Sequence, residues 1–108
     1  MRRAALLTTL ALPLLAGPLH AEEAGLVAQG RAFAQRVCAE CHAVQAGPVT
    51  SPLAAAPTFA AIAATPDMSP IALRVTLRSS HSTMPNLVLA GDELDGVIAY
   101  IMSLRTRN

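Results

Sequence analysis

The residues best suited to chemistry are Cys38, Cys41 and His42, which stand together in the stretch CAECH. They include both cysteines of the 108-residue chain. Two thiols three positions apart, followed directly by an imidazole, are compatible with four kinds of site. These are a redox-active dithiol, part of a zinc site, a small disulfide loop, and the attachment point of a covalently bound haem.

Three of these interpretations fit the surrounding sequence poorly. A structural zinc site needs four ligands, and no second Cys/His pair completes the set. His81 could in principle be the fourth ligand, but the adjacent residues Cys41 and His42 would then both have to bind the same ion, which is rare. A thioredoxin-like dithiol is expected between a strand and a helix, whereas CAECH follows a predicted helix and enters a proline-rich loop. A plain disulfide leaves His42 without a role.

Covalent haem attachment gives all three residues a role. The thiols of Cys38 and Cys41 can add to the two vinyl groups along one edge of the porphyrin, and the His42 imidazole can then bind the iron from one face. We therefore predict one covalent haem c with its iron bound by His42.

The opposite face of the iron needs a second ligand. Met84 stands in an irregular segment between two predicted helices and is followed by Pro85, which stiffens the loop, so we predict Met84 as this ligand. His81, three residues earlier, is the alternative. Met68 and Met102 are interpreted as core or surface residues.

The first 21 residues have the layout of a secretory signal peptide. Arg2 and Arg3 precede the apolar stretch Ala4–Leu19, which is shorter than the roughly 20 residues that span a bilayer. We expect export to the periplasm, cleavage after about Ala21, and a mature domain of residues 22–108 without a membrane span.

Composition limits the partners and the core of that domain. Six arginines nearly balance seven acidic residues, which argues against nucleic acid or an anionic membrane as partner. The aromatic residues are only Phe33, Phe59 and Tyr100. A domain this small needs a further stabilising element, so we expect an apolar cofactor to fill the interior and the cofactor-free polypeptide to be largely unfolded.

The hydrophobic pattern predicts an all-α domain of about four short helices joined by long loops. The first helix is predicted from about Ala24 to Arg36, with Gly30 on its apolar face to allow close approach of another helix. A short helix is predicted to open at Pro57, with the proline near its first turn, and a third begins with Ser69 as N-cap and Pro70 at its first position.

The last helix is predicted to begin with Asp92 as N-cap. Its apolar face comprises Leu94, Val97, Ile98, Ile101 and Leu104. Arg105 and Arg107 follow at the C-terminal end, where the helix dipole favours positive charge.

Taken together, these features resemble the class I cytochrome c family of small, single-haem, exported bacterial proteins. The resemblance rests on Gly30 and Phe33, CAECH, the APTF stretch around Pro57, Met84 with Pro85, and IAYI around Tyr100. It implies a cytochrome c-like fold wrapped around one haem, with Gly30 and Phe33 packed against Val97 and Tyr100. It also implies that a proline carbonyl accepts the second ring proton of His42; Pro57 is the preferred candidate and Pro48 the other.

The resemblance implies an electron carrier and not an enzyme. Its partners would be redox proteins such as a dehydrogenase, an oxidase or another cytochrome, met as a free monomer or as a tightly bound subunit. The mitochondrial docking lysines are missing, so no specific partner follows; Arg74 and Arg78 could face a haem propionate, an acidic partner or only solvent. A haem-based sensor or a peroxidase-like protein, with an open or labile sixth position, is the alternative.

Overall fold

The computed structural model describes residues 17–80, 83–84 and 87–106. In these ranges the chain forms four α-helices and no strand: α1 (Pro18–Phe33), α2 (Phe59–Ala64), α3 (Pro70–Leu77) and α4 (Gly91–Ser103). One π-helical turn, Ala34–Cys38, continues α1. The predicted all-α class is confirmed. No helix within the described ranges is both long and apolar enough to cross a bilayer.

Helix α1 begins earlier than predicted. It starts at Pro18, where a proline in the first turn needs no backbone donor, and so it includes the predicted cleavage point at Ala21. At its other end the winding loosens, because the Ala39 amide donates to the carbonyl of Ala34, five residues back, at 2.9 Å. This π-helical turn carries the chain into Cys38.

Helices α1 and α4 pack together most extensively, and they approach each other through glycine. Gly30 is buried, as predicted, and faces Gly96, a residue that the sequence analysis did not single out. A β-carbon added at Gly96 would lie only 3.0 Å from the Gly30 nitrogen. The side chain missing at both positions therefore sets the separation of the two helices.

Helices α2 and α3 begin with hydroxyl caps. Thr58 accepts a hydrogen bond from the Ala61 amide at 3.0 Å, and Ser69 accepts one from Ala72 at 3.2 Å. The predicted Ser69 cap is confirmed, with Pro70 at the first helical position. Pro57 lies just before the Thr58 cap, outside the helix that it was expected to start.

Helix α4 supplies much of the core, as its pattern predicted. Leu94, Val97, Ile98 and Ile101 are buried. The predicted Asp92 cap is wrong: Ala90 is the N-cap, and Gly91, with φ +59°, turns the chain into the helix. Asp92 instead lies in the first turn, where the helix dipole favours a carboxylate.

The C-terminal arginines were predicted to act on the helix dipole. Arg105 instead crosses to the end of α2 and the turn that follows it, where its guanidinium donates to the carbonyl of Ala63 at 3.1 Å and to that of Met68. These bonds tie the end of α4 to this turn. Arg107 lies outside the described residues.

Candidate cofactor site

A cavity of about 440 Å³ lies between the CAECH turn and helices α2, α3 and α4. Its walls are mostly apolar, with side chains such as Phe59, Leu73 and Ile101. The predicted site residues Cys38, Cys41, His42, Pro57 and Met84 all line it. A cavity of this size and polarity suits a large apolar ligand held by a few specific groups.

The CAECH segment is wound as one tight turn that follows the π-helical turn. The amides of Cys41 and His42 both donate to the Cys38 carbonyl, at 3.2 and 2.9 Å. Because the turn curls at the wall of the cavity, both thiols and the imidazole line one space. Burial raises the pKa of the Cys38 thiol, which keeps it protonated near neutral pH.

Two of the alternative sites find no support in this geometry. Cys38 and Cys41 are both free thiols, not a disulfide. Across residues 17–80, 83–84 and 87–106, no group of three or more His, Cys, Asp or Glu side chains is arranged to hold a metal ion directly. Among the described residues, the CAECH turn therefore forms neither a disulfide loop nor part of a directly bound metal cluster.

The His42 ring is held by the backbone just before α2. Its Nδ1 lies 2.7 Å from the carbonyl oxygen of Pro57. A carbonyl can only accept, so Nδ1 carries the proton and Nε2 keeps its lone pair for a metal. Pro57 precedes the Thr58 cap, so its carbonyl takes no part in the hydrogen bonds of the helix.

Two aromatic side chains extend from His42 toward α4. The Phe59 ring lies 5.6 Å from the His42 ring, and the Tyr100 ring lies 6.3 Å from Phe59, measured between centroids. The Tyr100 hydroxyl donates to the Val44 carbonyl at 2.6 Å. Tyr100 was expected to pack against α1; its contacts with Phe59 and Val44 join distant parts of the chain and have no signal in the spacing.

Two of the three methionines considered as iron ligands, Met84 and Met68, line the cavity. Met84 is half-buried at the cavity, but its neighbours His81 and Pro85 lie outside the described residues. Met68 packs against the hydrophobic core and also lines the cavity. Met102 packs against the core on α4.

Arg74 of α3 and Arg78, the C-cap residue of this helix, are both exposed. Arg74 pairs with Asp95 of α4 at 2.5 Å, with both side chains nearly half exposed. Arg78 ends the helix. Arg74 therefore already has an acidic partner within the chain.

The donor set and the cavity fit a covalently attached haem. Two neighbouring thiols, an imidazole with Nε2 available and a thioether line one apolar space. Thiols can form thioether bonds, and imidazole and thioether are both established ligands of haem iron. The structure gives each of these groups access to the same ligand.

Comparisons with known proteins agree with this chemistry. Residues 25–101 match the family model described as cytochrome C oxidase, cbb3-type, subunit III. The chain is also 40% identical over 76 residues to cytochrome c-552 of Bradyrhizobium diazoefficiens, an alignment that covers 70% of this chain and 72% of the relative. No solved structure matches the chain.

Proposed function

This chain belongs to the class I cytochrome c family and carries a covalent haem c, and on this premise we propose that it is a one-electron carrier. Cys38 and Cys41 would hold the haem through thioether bonds, each thiol adding across one vinyl group. When bound, the haem supplies a reversible one-electron couple at its iron.

The observation that carries the proposal is the bond between His42 Nδ1 and the Pro57 carbonyl, at 2.7 Å. It fixes the tautomer and direction of the ring at the wall of the cavity and makes Nε2 a more basic ligand. A histidine held in this way, beside two thiols that line the same cavity, is prepared to bind iron.

Met84 is proposed as the ligand from the opposite face. Its thioether lines the same cavity as His42, and sulfur favours the reduced iron, which raises the reduction potential. The apolar side chains around the cavity act in the same direction, because low polarity disfavours the more charged oxidised centre. With His42 and Met84 both bound to the iron, no substrate would reach it, and the protein would transfer electrons without catalysing a reaction.

The proposal also covers the processing and the cellular location of the protein. Residues 1–21 would be a signal peptide, and residues 22–108 would form the mature domain in the periplasm, within an electron-transfer chain. Its partners would be redox proteins such as a dehydrogenase, an oxidase or another cytochrome. The near balance of charge again argues against nucleic acid as a partner.

A second candidate is a permanent subunit of an oxidase complex. The matching family model is described as an oxidase subunit, which favours this possibility. Purification from the native host under mild conditions separates the two: a free carrier elutes as a monomer, whereas a subunit elutes with a larger complex.

An optical spectrum of the purified haem protein tests the electron-carrier proposal. With Met84 bound, the oxidised protein has a weak charge-transfer band in the red, and the reduced protein binds carbon monoxide slowly or not at all. A spectrum without this band, together with rapid carbon monoxide binding, would instead support a haem sensor or a peroxidase-like protein with an open sixth position.

A further inference from the structure

We propose that Phe59 and Tyr100 are positioning residues that hold the His42 imidazole in a single rotational orientation. The inference rests on the proposed function only in taking His42 as an iron ligand. It concerns a connection from the last helix to the ligand, beyond the bond to Pro57.

The bond to Pro57 leaves one motion of the ring unrestrained. A single hydrogen bond restrains the direction of the Nδ1–H vector, but small combined changes in the two side-chain torsions of His42 can still tilt the ring while that bond is kept. The Phe59 ring, tilted by 54° at a centroid distance of 5.6 Å, is close enough to restrict this tilting. Aromatic pairs in this distance range attract each other as well as excluding volume.

Phe59 is itself held in place. It is 4% exposed, and its ring packs at 6.3 Å and 56° against Tyr100. Its amide donates to the Ala43 carbonyl at 2.9 Å, which ties its backbone to the residue directly after His42. Any rearrangement of Phe59 must therefore disturb α4 or the segment that carries the ligand.

Tyr100 fixes that segment from the other side. Its hydroxyl donates to the Val44 carbonyl at 2.6 Å, in a buried position two residues after His42. Ala43, which lies between His42 and Val44, donates its amide to the Ser51 hydroxyl at 3.0 Å. The backbone after the ligand is thus held by α2, α4 and the intervening loop, so the His42 backbone can move only if these bonds break.

The experiment uses electron paramagnetic resonance of the oxidised haem protein, whose g values depend on the orientation of the axial imidazole plane. We expect one sharp low-spin species in the wild type. Phe59→Leu should shift its g values or divide it into two species, Tyr100→Leu should act in the same way, and Tyr100→Phe, which keeps the ring, should have a smaller effect.

A second readout follows the His42 Nδ1 proton by nuclear magnetic resonance. We expect its exchange with solvent to accelerate about tenfold or more in Phe59→Leu, since a tenfold larger open population needs only about 1.4 kcal/mol. Leu94→Ala is the matched control: Leu94 is equally buried on α4 but does not line the cavity. It should lower stability and leave both readouts unchanged.

Unchanged g values and exchange rates in Phe59→Leu would overturn the inference, as would equal changes in Leu94→Ala. Because the proton-exchange readout requires only His42 as a ligand, it is decisive whichever group binds the opposite face. A wild-type optical spectrum without the sulfur band would reject Met84 and leave this test intact.

Discussion

Gly30 of α1 and Gly96 of α4 are in direct backbone contact. A β-carbon built on Gly30 would lie 1.8 Å from the Gly96 carbonyl oxygen, far inside any tolerated distance, and the clash would be with backbone. The two helices therefore cannot keep their present separation if position 30 gains a side chain.

Gly30→Ala should destabilise the haem protein by about 1–3 kcal/mol or more, because the helices must move apart. Gly96→Ala should cost less, since its β-carbon would meet its nearest neighbour at 3.0 Å. Gly25→Ala is the control on α1: nothing lies within 4 Å, and it should stabilise by about 0.5–1 kcal/mol. Denaturant titration measures the free energy of unfolding of all three variants. Equal changes in Gly25→Ala and Gly30→Ala would contradict the close approach of the two helices.

Met84→Ala should abolish the red charge-transfer band and lower the midpoint potential by about 100 mV or more, within the ~0.8 V range that axial ligands span. The reason is the loss of the sulfur ligand that favours reduced iron. Optical redox titration measures both effects. Met68→Leu is the control, because Met68 lines the same cavity, and it should keep the band. If the wild-type protein lacks the band, and His81→Ala but not Met84→Ala lets the reduced iron bind carbon monoxide rapidly, His81 is the ligand.

Arg105→Ala should cost about 1–3 kcal/mol of stability, because two backbone carbonyls lose a charged donor. Arg74→Ala is the matched control. It breaks an exposed ion pair with Asp95, and such pairs contribute about 0–1 kcal/mol. Thermal unfolding of the two variants measures both losses of stability. A larger loss of stability in Arg74→Ala than in Arg105→Ala would contradict this prediction.

The cysteines should act independently in retaining haem. Cys38→Ala or Cys41→Ala should each leave haem bound through one thioether, whereas the double substitution should release it under denaturing conditions. Mass spectrometry of the exported protein measures this directly and also locates the new N-terminus, which we expect at about Glu22. A wild-type mass without an added haem would contradict the attachment.

The haem-free polypeptide should lose most of its helical circular dichroism. Without a ligand, the apolar walls of a cavity of about 440 Å³ would be exposed to water, and several of the buried side chains that remain are alanines. Comparing the double cysteine variant with the wild type tests this point. A fully helical, cooperatively unfolding haem-free chain would show that the protein core is sufficient alone.

Local signals in the sequence predicted much of this fold. The spacing of apolar residues identified α4, and the Ser69–Pro70 pair identified the start of α3, because caps and periodicity act over a few residues. The Asp92 cap failed because Gly91 made the turn by its positive φ, which competes with side-chain capping. Gly96 could have been found by the same reasoning as Gly30, as a glycine on an apolar stripe.

The site was less accessible to such reasoning. CAECH indicated the chemistry because its elements are adjacent in the chain, and the haem cofactor is confirmed by the family match. The contacts of Phe59, Tyr100 and Arg105 join residues that are tens of positions apart, and nothing in their spacing predicts them. The ligand roles of His42 and Met84 remain predictions.

The π-helical turn at Ala34–Cys38 has a consequence for redesign of the protein. Each added residue rotates a helix by about 100°, so ordinary winding through these five residues would present Cys38 in a different direction. We therefore expect the π-helical winding of this turn to set whether the Cys38 thiol would reach the edge of a bound porphyrin. Substitutions that convert this stretch to a regular α-helix could be chosen to raise the unfolding temperature. We expect them to lower the yield of haem attachment, and this loss would occur before the mature protein is formed.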